Sequence, residues 1–284
     1  MTRPVLGARN TPKRRITNEH GVALLIVLLV TALLIALVFE FAYGTRVSLR
    51  AAVNYRDSQR AYFLARSGVN FAGALLADNL KNNKLQDNLE QREWQIVPLM
   101  TGSDTELRVR WEDESGKINI SAVARGNDTY NRLSKLFDIR AVSQESLDRI
   151  ATWMVEEKRN FYLLTELHRF LGDEDFRKVA DFLTVSPVPR ININTASSEV
   201  LQSLGLSASA AGLIVEQRVR EPFDDQAKVN TAPGMDTTVA GQLGVTTNIF
   251  KVDSYATVGG YTKQVQAVIT RNASGFTINY WRAL

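Results

Sequence analysis

The chain has 284 residues, 45% of them hydrophobic and 23% charged, the mix of an ordinary globular protein with room for one or two modest domains. It contains no cysteine and two histidines, His20 and His168; a disulfide framework and a thiolate metal site are excluded, and a histidine-based catalytic or zinc centre has little to build on. The formal net charge is +4, and residues 1–21 alone carry +4 through Arg3, Arg9, Lys13, Arg14 and Arg15 against Glu19, so the remainder is neutral. The basic surplus therefore reads as a topology signal rather than a nucleic-acid patch.

Val22 to Phe39 follows, eighteen residues with no charge and a single threonine. As a helix it spans roughly 27 Å, enough for a hydrocarbon core. With the basic flank ahead of it, the N-terminus is expected in the cytoplasm. A cleavable secretory signal would show a small-x-small site next, but Glu40-Phe41-Ala42-Tyr43 follows and helix-compatible sequence continues. Gly21 stands directly before the apolar run, an arrangement that resembles the leader of type IV pilins and pseudopilins, which are cut after the glycine and keep the helix.

The helical pattern runs on. Ala51, Tyr55, Ser58, Tyr62, Ala65, Val69, Ala72 and Leu76 form one small and apolar stripe, while Arg50, Arg56, Asp57, Arg60 and Arg66 fall off it. The expectation is one helix from about 22 to 80; a membrane helix and a separate soluble helix joined near Gly44 is the alternative. Residues 105–112 then alternate as a half-buried strand, Glu114-Ser115-Gly116 turns, and Lys117-Ile118-Asn119-Ile120 resumes extended structure. Helical spacing covers Ser146–Glu157, Leu163–Phe170 and Phe176–Leu183. Asn194-Thr195 reads as a helix start ahead of Val200, Leu201 and Leu204. Ser207 starts another helix with Ala211, Ile214 and Val219, ending before Pro222. Residues 250–258, 264–270 and 276–281 read as strands separated by Gly259-Gly260 and by Asn272-Ala273-Ser274-Gly275, an antiparallel meander.

Three chemical readings compete with a purely structural one. Asp173-Glu174-Asp175 and Asp224-Asp225 are the acidic clusters available to calcium, and each equally suits a helix N-terminus. Leu204-Gly205-Leu206 and Ala232-Pro233-Gly234-Met235 have the flavour of helix-hairpin-helix turns, which present amides to DNA phosphates, but few cations flank them. His168 lies in an amphipathic helical stretch with no nucleophile elbow, phosphate loop or zinc motif elsewhere, so no enzyme is expected.

The Gly21-Val22 junction, Arg56-Asp57, Ala61-Tyr62, Ala65-Arg66-Ser67-Gly68-Val69, the run from Trp111 through Ile120, and Ile191-Asn192-Ile193-Asn194-Thr195-Ala196 ahead of Glu199-Val200-Leu201 together resemble the protein K family of the general secretion pathway, the large minor pseudopilins of type II secretion. The resemblance covers nearly the whole chain. It implies an α+β, pilin-like fold: a long N-terminal transmembrane helix packed on an antiparallel sheet, with a large inserted all-α domain. The corresponding division is a prepilin leader at 1–21, an N-terminal helix at 22–82 with 22–39 in the membrane, a sheet domain from 83–120 and 246–284, and an inserted helical domain at 121–245.

By the same resemblance, processing falls between Gly21 and Val22, with methylation of the new terminus. Helix assembly involves Ile26, Ala65, Val69 and Ala72. Ile26 stands where most pilins carry a glutamate, a departure characteristic of this family. The implied partners are the I- and J-type minor pseudopilins, the major pseudopilin, a prepilin peptidase and an inner-membrane assembly platform, with no nucleic acid. The implied location is single-pass in the inner membrane, with the N-terminus cytoplasmic and the bulk periplasmic. The implied role is at the pseudopilus tip, helping to initiate its assembly for export of folded proteins. The family's calcium-associated loop is shortened here, where Thr152-Trp153-Met154-Val155-Glu156-Glu157 runs almost directly into Phe161-Tyr162; no cofactor is expected, with calcium the open alternative. A minor pilin of a type IV pilus and a membrane-anchored helix-hairpin-helix DNA-binding protein remain the alternative functions.

Overall fold

The computed structural model describes residues 19–82, 93–98 and 104–284; most of the leader lies outside these residues. The first element, α1 (Glu19–Lys81), is one unbroken helix, so no break occurs at Gly44. No proline interrupts it, and its interior is rich in Leu, Ala and Arg, which favour helix. The described residues up to Arg56 and those from Asp57 onward form two units.

In the second unit, α1 lies on a five-stranded sheet built from β1 (Gln95–Ile96), β2 (Thr105–Asp113), β7 (Ile249–Val258), β8 (Tyr261–Asn272) and β9 (Gly275–Ala283), in the order β1-β2-β7-β8-β9. All neighbours are antiparallel. The β2–β7 register runs from Thr105↔Val258 to Asp113↔Phe250, joining strands far apart in sequence. Alternation fixes the faces. Leu107, Val109 and Trp111 of β2 and Phe250, Val252 and Ala256 of β7 bury against Ala65, Val69, Ala72 and Leu76 of α1. Gly259 and Gly260, both at positive φ, make the tight β7–β8 turn. A register shift in the β8–β9 pairing lies between Val268 and Ile269.

Between β2 and β7 lies the helical block. It comprises β3 (Ile118–Asn119), α2 (Asp128–Ile139), α3 (Gln144–Glu157), α4 (Asp173–Val179), β4 (Leu183–Thr184), β5 (Ile191–Asn192), α5 (Ser198–Ser203), α6 (Ala208–Arg220), α7 (Gln226–Asn230), α8 (Thr237–Gln242) and β6 (Leu243–Gly244). The short strands pair in parallel, β3 with β4 and β5 with β6. A second hydrophobic core forms here from Leu133, Leu136, Phe137, Leu147, Ile150, Val200, Leu201 and Ile214, among others.

Several local expectations need correction. Helix α5 begins after Ser197, whose Oγ accepts from Val200 N at 3.2 Å, not at Asn194-Thr195; those side chains are buried and engaged elsewhere. Asp57 lies on the inner face of α1, next to Gly259, rather than off the stripe. Ala51 and Tyr55 of the stripe are exposed, as is Val219 of α6. Helix α2, capped by Asn127 through Tyr130 N at 2.8 Å, is an element that the sequence reading omits. Its signal is the Asn127-Asp128 start ahead of Leu133, Leu136 and Phe137.

Candidate functional site: the apolar helix and a buried polar junction

Two features stand out, and neither is a catalytic cleft. The first is the N-terminal part of α1. Gly21, Val22 and Ile26 are exposed, and every side chain from Val22 to Phe39 is solvent-facing in the isolated chain. The helix is long and apolar enough to cross a membrane. Its threonine suits that setting: Thr31 Oγ1 bonds to Val27 O at 2.9 Å and Leu28 O at 3.0 Å, leaving no hydroxyl unsatisfied in lipid.

Further along α1, Ala65, Val69 and Ala72 are 0%, 1% and 0% exposed. They seat the helix on the chain's own sheet, so they do not offer a surface to another helix; small residues stand there because the sheet approaches closely. At Gly68 a Cβ would meet Ser254 Oγ, and Leu107 Cδ1 and Val109 Cγ1 at 2.9 Å. The outward face of the same stretch carries Phe63 and Phe71, 57% and 41% exposed, and these are the positions open to a partner.

The second feature joins the sheet to the helical block. Asp113 ends β2 and is buried. Its Oδ2 accepts from Asn192 Nδ2 at 2.8 Å and from Thr195 Oγ1 at 2.6 Å, while Oδ1 accepts from Ser115 N at 2.6 Å. Ser115 Oγ lies 2.6 Å from Thr247 Oγ1. Glu114 binds Lys117 Nζ at 2.9 Å and also accepts from Thr184 Oγ1. Asn194 Nδ2 donates to Phe223 O at 2.8 Å, and its Oδ1 accepts from Phe223 N at 2.8 Å. Gly116 is the close-approach point, since a Cβ there would stand 2.7 Å from Thr195 Oγ1. The two most distinctive sequence segments, Trp111–Ile120 and Ile191–Ala196, thus meet in one buried network.

The electrostatics of this network are those of a structural lock. Burial pushes the Asp113 carboxyl up to about 6, against the hydrogen bonds from Thr195, Thr247, Ser115 and Asn192 that favour the anion. Burial pulls Lys117 down, but the Glu114 and Glu112 carboxylates outweigh it and the net shift is upward. Buried polar groups of this kind are costly unless every member is satisfied.

The other candidates do not assemble into sites. Among the described residues, no three His, Asp or Glu side chains converge as metal ligands. Asp173, Glu174 and Asp175 occupy the first turn of α4, and the last two pair with Lys178; Asp224 pairs with Lys228, and Asp225 caps α7. These residues do not fit a calcium cage, which needs six or more converging oxygens. His168 Nδ1 lies 3.1 Å from Asp173 Oδ1, with its ring against Phe176. At the hairpin turns, one first-turn amide of α6 and one of α8 is taken by the chain's own cap, Ala210 N by Ser207 Oγ at 3.1 Å and Val239 N by Asp236 Oδ1 at 2.8 Å; the second cap is an acid where a phosphate would have to sit.

Comparison with known proteins agrees with this architecture. The profile of the family described as "Type II secretion system (T2SS), protein K" matches residues 191–246, the segment from Ile191 through the hairpins. The Type II secretion system protein K of Pseudomonas aeruginosa is 26% identical over 304 aligned positions, covering 91% of this chain and 90% of that protein. Among solved structures, the GspK-GspI-GspJ complex from the enterotoxigenic Escherichia coli type 2 secretion system contains a chain that matches with a TM-score of 0.61 at 18% identity. That match covers 82% of this chain and 99% of the other, and it speaks to the fold. With the pilin-like helix and sheet and the inserted helical block beside these matches, the chain is similar over most of its length to the protein K family of type II secretion systems.

Proposed function

We propose that the chain is a minor pseudopilin that stands at the tip of a periplasmic pseudopilus, in contact with I- and J-type minor pseudopilins, and helps to initiate its assembly. The observation that carries this reading is where the helical block attaches. Asp57 lies beside the β7–β8 turn at Gly259. At the opposite end of the sheet, Arg271 donates to Thr247 O at 2.7 Å and to Leu76 O at 3.4 Å, and the block leaves and re-enters there, after Asp113 and before Ile249. The extra mass therefore sits at the end of the sheet away from Asp57, where a further subunit stacked above would collide with it. A subunit with nothing above it tolerates such mass; a repeating one does not. Hydrogen bonds from Asn192 and Thr195 to the buried Asp113 tie the block to that end of the sheet. The matched complex, which joins GspK to GspI and GspJ, supports the choice of partners.

In this reading α1 crosses the inner membrane with the leader in the cytoplasm, and a prepilin peptidase cuts after Gly21. The uncharged Ile26 suits a terminal subunit, because a carboxylate in lipid is costly without a neighbour to pair it. The cysteine-free sequence makes a test direct. Cysteines replacing Phe63 and Phe71, both on the outward face of α1, are expected to cross-link to other minor pseudopilins and to give no self-linked series. Long ladders of self-cross-linked chains would show a repeating filament subunit and overturn the tip reading.

A further inference from the structure

Past the apolar run, α1 carries a second concentration of positive charge. Residues 41–56 contain Arg46, Arg50 and Arg56 and no Asp or Glu. Arg46 and Arg50 are exposed, and neither has an ion-pair partner among the described residues. They are one helical turn apart and so share a face. Between them and the apolar run stand Phe41 and Tyr43, 75% and 72% exposed, the residue types that collect at the boundary of lipid and water.

The spacing fits the dimensions of a bilayer. A hydrocarbon core of about 30 Å takes about 20 helical residues, which places its far boundary near Phe41–Tyr43 when it is entered at Val22. At 1.5 Å per residue, Arg46 then lies roughly 5 Å and Arg50 roughly 10 Å beyond Tyr43. The headgroup layer is about 5–8 Å deep on each side, and an arginine arm reaches several ångströms back along the helix.

These arginines are not a topology signal. Basic residues orient a span by staying on the cytoplasmic side, and here that work belongs to Arg3, Arg9, Lys13, Arg14 and Arg15. Arg46 and Arg50 oppose the same orientation, so another partner must account for them. Resting on the reading that α1 spans a membrane, we propose that Arg46 and Arg50 bind the phosphates of anionic phospholipids in the leaflet opposite the leader, and so fix the depth of the helix. The guanidinium fork matches phosphate oxygens two at a time.

The test uses the full chain in vesicles of equimolar phosphatidylglycerol and phosphatidylcholine with matched acyl chains. Flotation after an alkaline wash reports insertion by itself. Lipids retained on the solubilised protein are counted by native mass spectrometry. Each arginine is expected to give about a fivefold preference for phosphatidylglycerol. The double variant Arg46→Gln/Arg50→Gln is expected to lower the phosphatidylglycerol-to-phosphatidylcholine ratio at least about fivefold with flotation unchanged; the leader is common to both chains and cancels. Arg177→Gln, an exposed cation on α4, should leave the ratio alone. An unchanged ratio in the double variant overturns the proposal and points to an acidic protein partner. An equal drop in Arg177→Gln overturns it in favour of bulk charge. Failure of the unaltered chain to float overturns the membrane-spanning reading instead.

Discussion

At the scale of single residues, Asp113 is the most consequential side chain. Donors from both halves of the second unit converge on it, among them Ser115 N, Asn192 Nδ2 and Thr195 Oγ1. Removing the carboxylate strands the buried donors, so Asp113→Ala is expected to cost roughly 2–4 kcal/mol in denaturant unfolding. Its titration has a definite sign. Burial raises Asp113 to about 6 from the ordinary carboxylate value of 3.8, so the folded state holds the proton more tightly than the unfolded chain. This contribution to stability is fully present below about pH 4 and is lost as pH rises through about 6. Unfolding free energy measured from pH 4 to 6 should therefore slope downward on account of this group, and Asp113→Asn should flatten the slope. An unaltered slope in that variant would assign it elsewhere.

Local sequence could not reveal this network. Asp113 and Thr195 are 82 positions apart, and period-based reading sees only neighbours. Asn194 reads as a helix start for the same reason: asparagine offers its side chain to nearby amides in a cap, and here it offers the same groups to Phe223, 29 residues on. Asp57 falls off the apolar stripe by residue type and spacing, but it is buried beside the Gly259 turn.

At the scale of elements, the seating of α1 on its sheet was legible in part. Ala65, Val69, Ala72 and Leu76 share a face by spacing alone, and Leu107, Val109 and Trp111 alternate as strand residues must. From Ala65 to Leu76 the stripe is internal, seated on the sheet as the resemblance implies, while Ala51 and Tyr55 at its start are exposed. The close approach at Gly68 gives a sharp contrast. Gly68→Ala places a methyl 2.9 Å from Leu107 Cδ1 and Val109 Cγ1, and should destabilise the protein by roughly 1–3 kcal/mol. Gly212→Ala, in α6 with nothing within 4 Å of the new Cβ, should stabilise it by about 0.5–1 kcal/mol. Thermal unfolding of the two variants side by side checks both; a Gly68→Ala variant as stable as the unaltered chain would mean that α1 does not lie on the sheet in this way.

At the scale of the whole molecule, the charge pattern and the continuous helix lead to a processing expectation. The basic leader, Gly21 and the uncharged run from Val22 form a unit that a prepilin peptidase would recognise. Mass spectrometry of the membrane-bound protein is expected to find a chain that begins at Val22 and carries an added methyl group. A chain beginning beyond Ala42 would instead mark an ordinary secretory signal.

The placement of the helical block between paired strands also has a consequence in time. β2 and β7 lie side by side over their whole length, from Thr105↔Val258 to Asp113↔Phe250, yet everything between Asp113 and Ile249 must leave the ribosome before they can meet. At ordinary synthesis rates that delay is on the order of ten seconds. For its duration the apolar face of β2 and the seat on α1 stand uncovered, while the block, whose contacts are nearer neighbours, can already close its own core. The sheet is therefore the last part to form, completed by β7, β8 and β9 as they arrive. A nascent chain caught in this interval presents a bare hydrophobic helix face and an unpaired strand to whatever is near, which makes the middle of synthesis the period in which it depends most on a chaperone.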